Sequence, residues 1–185
     1  MLRRFGRYGA VAALLALLVA CPAGAESRSL QPVTEVFALD PARVLEVTYR
    51  TPGVMLRAQR QDAGGRFTLT FWEKSRSQPS TCLAGSAFAA VLKQLTSLKL
   101  RRTPSAGEVR EIWAKHPLET WAEVTIRDNT PLTPFQARLM PVAGAPGEAF
   151  VHFDGATYVV DLPLRVFHLL TEGCQTLAGD ASSPK

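Results

Sequence analysis

EVTYR occupies Glu46 to Arg50, and EVTIR occupies Glu123 to Arg127, 77 residues later. Each copy sits in a run of alternating apolar residues: Val44, Val47 and Tyr49 about the first, Trp121, Val124 and Ile126 about the second. Alternation of this kind marks a strand with one buried face, because successive side chains of a strand point to opposite sides. Within each copy, Glu46 and Thr48, or Glu123 and Thr125, face one way while the apolar residues face the other.

The segments that follow the two copies have the same order. After the first, TPG turns the chain, VMLRAQRQ alternates through Met55 and Arg57, and DAGG turns it again. RFTLTFWEK then sets Phe67, Leu69 and Phe71 on one face and Trp72 on the other. After the second, NTPLTP and AGAPGE are turns around FQARLMPV, and AFVHFDG pairs with TYVVDLP across Asp154 and Gly155. An aspartate-glycine pair between alternating runs is a strong hairpin signal, since both residues accept the positive φ that a tight hairpin needs.

Three helices complete the pattern. In SAFAAVLKQLTSLKL, capped by Ser86, the residues Phe88, Val91, Leu92, Leu95 and Leu98 recur at helical spacing, and LKLRR at Leu98 to Arg102 reads as its basic end. Ser105 and Glu108 form a capping box before Val109, Ile112 and Trp113, and Pro117 stops that helix. PLRVFHLLTEGC carries Pro163 in its first turn and Gly173 at its end.

These elements define an α+β fold: two pseudo-repeated antiparallel β-meander plus helix lobes, with the helices packed on the sheet. The lobes cover 36–102 and 118–174, joined by a short helix at 105–116. Residues 26–35 lead in, and 175–185 read as a disordered, serine-rich tail.

The N-terminus reads as a secretory signal over residues 1–25: Arg3, Arg4 and Arg7 precede an apolar run from Ala10 to Ala20, too short to span a bilayer comfortably. Two processing routes are open. LVAC at Leu18 to Cys21 fits a lipobox, with cleavage before Cys21 and acylation of its thiol; AGA at Ala23 to Ala25 fits a small-x-small site that would free Glu26. Removing the three leader arginines leaves 18 basic against 16 acidic residues, so the net charge of +5 belongs mainly to the leader and gives no case for nucleic-acid binding. Cys82 and Cys174 remain as an even pair in an oxidising compartment, and a disulfide between them is expected to staple the lobes together.

The segments VFALDPARVLEVTYR, GVMLRAQR, FAAVLKQLTSLKL and EAFVHFDGATYVVDLPLRVFHLL resemble the bacterial envelope proteins grouped as domain of unknown function 4340. The resemblance runs from Val36 to Leu170 and rests on apolar spacing, with Trp72 matching a tryptophan near the third strand. It implies a location in the bacterial envelope and brings no established catalytic residues with it; the SQPSTC loop and the cysteine pair lie outside it.

Few residues suggest chemistry. His152, Asp154 and Asp161 are the best acid/base constellation, with His152 and Asp154 on one side of a strand and Asp161 across the hairpin; an exposed strand face running into a turn explains them as well. His116 and His168 lack metal-ligand spacing to any other donor. Ser86 has no GxSxG setting, and the glycines of DAGGRF lie between strands, opening no helix that would cradle phosphate. No cofactor or metal is expected. The first reading is a non-catalytic exported envelope protein, a lipoprotein or a soluble periplasmic chain, that binds another envelope protein through a surface including Trp72, Glu46 and Glu123. The alternatives are a periplasmic ligand-binding module with its site between the lobes, and a hydrolase built on His152, Asp154 and Asp161.

Overall fold

The computed structural model describes residues 35–61, 65–130 and 134–179. The signal segment with Cys21 and both cleavage positions lies outside these residues, as do most of the DAGG turn, the middle of NTPLTP and residues 180–185.

Among the described residues, ten strands form one antiparallel sheet: β1 (Glu35–Ala38), β2 (Val44–Arg50), β3 (Val54–Arg60), β4 (Phe67–Glu73), β5 (Ser80–Leu83), β6 (Ser97–Arg102), β7 (Ala122–Asp128), β8 (Phe135–Pro141), β9 (Glu148–Phe153) and β10 (Ala156–Asp161). Their order is β1-β6-β10-β9-β8-β7-β2-β3-β4-β5. The two EVT segments are β2 and β7, and they pair with each other at the middle of the sheet. Thr48 lies opposite Thr125, Glu46 opposite Arg127, and Arg50 opposite Glu123. From this pair, β3, β4 and β5 extend to one side, and β8, β9 and β10 to the other. The hairpin between β9 and β10 turns where expected, with Asp154 at φ 49° and Gly155 at φ 74°.

Three helices, α1 (Ser86–Leu95), α3 (Leu164–Glu172) and α4 (Cys174–Leu177), cover one face of the sheet. Phe88, Val91, Leu92 and Leu95 of the first, Val166, Phe167 and Leu170 of the second, and Leu177 of the third join Val47, Leu56, Leu69, Val124 and Leu139 in one core. Each such fully buried aliphatic or aromatic side chain contributes about 1.5–3 kcal/mol relative to exposure. The fourth helix, α2 (Ala106–Lys115), packs on the opposite face over β8 to β10. There Ile112 and Trp113 meet Trp121, Phe150 and Val159. Ser105 caps α2 as expected, its Oγ accepting the Glu108 N–H at 3.2 Å.

Several local expectations need correction. The first helix stops at Leu95, and Leu98 to Arg102 belong to a strand, β6, paired with both β1 and β10. Thr96 ends the helix by turning its hydroxyl back to the Leu92 carbonyl at 2.8 Å; beyond it Leu98 is buried and Lys99 exposed, as in a strand. The cap of α1 is Gly85, and Ser86 gives no side-chain capping bond. The segment read as a polar loop before Cys82 supplies edge strand β5. Residues 175–179, expected to begin a disordered tail, complete α4 and return to β5. Leu177 is fully buried and its carbonyl accepts the Gly85 N–H, while the Gly179 N–H donates to the Leu83 carbonyl.

Cys82 of β5 and Cys174 of α4 are joined by a disulfide, with Cα atoms 5.9 Å apart. At the far end the sheet curls. Between β1 and β8 lie four strand-to-strand steps, about 19 Å across a flat sheet; yet the rings of Phe37 and Phe135 stack with centroids 3.7 Å apart.

Candidate functional site

The face opposite α1, α3 and α4 carries the side chains that alternate out of the core. Strand register arranges them in three rows running across the strands. The first row reads Trp72, Met55, Arg50, Glu123, Arg138, His152 and Thr157, from β4 to β10. The second reads Thr81, Thr70, Arg57, Thr48, Thr125 and Gln136. The third reads Leu83, Thr68, Gln59, Glu46 and Arg127. With neighbouring strands about 4.8 Å apart, the first row spans about 29 Å. Helix α2 closes its far end, where the Trp113 ring meets His152 edge-on at 5.5 Å.

Charges on this face are held unequally. Glu46 is only 17% exposed, and its Oε2 accepts from Arg57 Nη2 at 2.9 Å, Arg127 Nη2 at 3.2 Å and Gln59 Nε2 at 3.3 Å. Partial burial works to raise the Glu46 pKa, but the hydrogen bonds from Arg57, Arg127 and Gln59 outweigh it and hold the carboxyl below its usual range. In the first row Glu123 stands between Arg50 and Arg138 in register, yet neither arginine makes an ion pair or hydrogen bond among the described residues. Two depressions of about 220 Å³ each meet at Glu123 and Arg138: one extends over Gln136, His152 and Asp154, the other over Arg50, Pro52 and Trp121.

The depressed Glu46 pKa fixes the sign of a pH effect. A carboxylate with a lowered folded pKa adds stability that is present above its unfolded pKa and is lost as pH falls through the folded value. Glu46→Gln is therefore expected to cost about 1 kcal/mol or less at neutral pH, and nothing once the wild-type carboxyl is protonated in acid. Thermal melts of both proteins across that range check this; a gap between them that persists unchanged into acid would refute it.

The sequence candidates separate into two groups. Trp72, Glu46 and Glu123 all lie on the three-row face. His152, Asp154 and Asp161 are not brought together. His152 Nδ1 is 3.1 Å from the Thr157 hydroxyl, and burial followed by the charge of Arg138 lowers its pKa, leaving the ring neutral near pH 7. Asp154 is exposed in the hairpin turn, where it shares only the shallow depression with His152. Asp161 stands opposite Glu148, four residues along β10 from the partner of His152, or about 13 Å, and pairs with Arg101. His116 and His168 are exposed on α2's C-terminal cap and on α3. Sequence reasoning missed Arg50, Arg57, Arg127 and Arg138; the outward parity of EVTYR and EVTIR was the available signal for the first and third.

An apolar pocket of about 510 Å³ opens where the sheet curls, lined by Phe37, Leu39, Ile126, Phe135 and Phe153 with Asp128 and Asp154 at its polar edge. The seam between β2 and β7 is a hydrogen-bonded strand pair, crossed on its outer face by the shallow depression at Arg50 and Glu123. Among the described residues, no helix is long and apolar enough to cross a membrane. No family model, curated protein or solved structure matches this chain.

Proposed function

We propose that the chain is a non-catalytic, exported cell-envelope protein, tethered to a membrane through an acylated Cys21, that docks another envelope protein on the three-row face. One observation carries this reading: among the described residues, no helix lies over this face from β2 to β4 and across β7, while the opposite face is covered by α1, α3 and α4. Interaction surfaces built on a rigid sheet need no ordering on binding, which lowers the entropic cost of association. The scatter of His152, Asp154 and Asp161 favours binding over hydrolysis.

On the same reading, the chain is an internal duplication related to the envelope proteins that share domain of unknown function 4340. The two halves meet as equivalent strands, with Glu46, Thr48 and Arg50 corresponding to Glu123, Thr125 and Arg127. Support comes from the antiparallel pairing centred between Thr48 and Thr125, about which β3 and β4 on one side answer to β8 and β9 on the other.

A photoreactive residue in place of Thr125, at the centre of the face, is expected to form a discrete adduct with an envelope protein in the producing cells. The same residue in place of Lys93, exposed on α1, should form none. Absence of any adduct at Thr125 would sink the docking reading. The anchor is tested by the mass of the mature N-terminus: an acylated Cys21 supports it, and a free Glu26 shows a soluble periplasmic chain.

A further inference from the structure

We infer that residues 180–183 add to β5 as a further antiparallel strand, so that the chain closes this edge of the sheet with its own C-terminal segment.

The parity of β5 decides which backbone groups stand open. The Ala84 N–H donates to the Phe67 carbonyl beside β4, so by the alternation of a strand Ala84, Cys82 and Ser80 turn their peptide groups toward β4. Leu83 and Thr81 turn theirs to the outer edge. Among the described residues, the Leu83 carbonyl accepts the Gly179 N–H at 2.9 Å, while the N–H and C=O of Thr81 have no backbone partner on that side. Such a row of open groups is a template on which strands of other chains add, and the Leu83 side chain next to it is 60% exposed.

The chain has already begun to pair along this edge. Beyond α4, Ala178 bridges Ala84 in the antiparallel sense. The bridge is flanked by the bond from the Gly179 N–H to Leu83 and by one from the Gly85 N–H to the Leu177 carbonyl at 2.8 Å. Together these make a non-hydrogen-bonded pair of a regular ladder with both neighbouring bonds formed. Two glycines permit the approach: a Cβ added at Gly85 would lie 2.5 Å from the Gly179 Cα. The Cys82–Cys174 bond ties α4 to β5, so the chain leaving Leu177 is delivered to this edge.

The same register, carried forward, sets Asp180 opposite Cys82, Ala181 opposite Thr81 and Ser182 opposite Ser80. Ala181 then exchanges two hydrogen bonds with Thr81, and the peptide groups of Asp180 and Ser182 turn to solvent. The sequence suits an outermost strand. It is short, carries the charge of Asp180 and runs into Pro184, and each of these keeps an edge from templating another chain. Its tether at Gly179 makes the pairing intramolecular, which favours it over a strand from another molecule.

Amide hydrogen exchange in the full mature chain and in a chain ended after Gly179 tests this. The Thr81 N–H is expected to exchange about fivefold or more faster after truncation, the worth of one backbone hydrogen bond, while Val124 at the middle of the sheet is unchanged. Two proline variants read the register. Ala181→Pro removes the N–H aimed at the Thr81 carbonyl and should release the Thr81 amide as truncation does. Ser182→Pro removes an N–H that points to solvent and should keep the Thr81 protection within about twofold. Equal exchange at Thr81 in the full and shortened chains would overturn the inference, as would equal loss in the two proline variants. Protection that rises with protein concentration would assign the edge to a second copy and overturn it as well.

Discussion

Loss of the Cys82–Cys174 bond is expected to lower the free energy of unfolding by about 4–5 kcal/mol. The bond closes a loop with a sequence separation of 92 residues, and on the chain-entropy account a loop of that length removes about 4.6 kcal/mol of freedom from the unfolded chain. That is a large share of the 5–15 kcal/mol typical of a domain. The damage should also be local. Among the described residues β5 pairs with no strand but β4, and α4 is held beside it by the disulfide and by the hydrogen bonds at Gly85 and Gly179. Urea unfolding of the reduced wild type and of Cys82→Ser/Cys174→Ser should give coincident midpoints, both well below that of the oxidised protein. A difference under about 1 kcal/mol would show that the unfolded chain gains little from the cut, contrary to this account.

Gly173→Ala is expected to cost about 3 kcal/mol or more. Gly173 separates α3 from α4 with φ 59° and ψ −127°, a conformation nearly confined to glycine. A Cβ at this position would fall on the ring of Phe71, a core residue of β4 that is 6% exposed. Backbone strain and overpacking each contribute about 1–3 kcal/mol and act together here. Phe71→Leu makes room on the sheet side, so the double variant should lose less than the two single losses combined. Strict additivity between the two sites would disprove the proposed steric conflict.

Much of the sheet was legible because β2, β3, β4 and β7 to β10 alternate strongly, and because Asp154 and Gly155 announce their hairpin. The misreadings share a cause. Leu95 and Leu98 keep helical spacing across the boundary between α1 and β6, so apolar period alone runs past the true stop; partners β1 and β10 draw the segment into the sheet. STCL is too short to display alternation, and its identity as β5 comes from β4 and the disulfide. Leu177 is one leucine in a polar stretch, and its burial depends on the Gly85 contact. Similar reasons limited the site. The parity that turns Glu46, Glu123 and Trp72 away from the core is a local property and could be read. That Arg50, Glu123 and Arg138 share a row depends on pairing between segments far apart in the chain, which no local pattern encodes.

The β2–β7 pair has a kinetic consequence. Hairpins on either side close within about 1–10 μs, whereas the central pair must wait for a segment 77 residues further along. At about 5–20 residues per second, synthesis delivers β7 roughly 4–15 s after β2. During that interval the nascent chain carries an open strand edge beside Val47 and Tyr49, the kind of template on which strands of other chains add. The β2–β7 pairing thus does more than join two meanders: it is the step that closes this edge in the finished sheet.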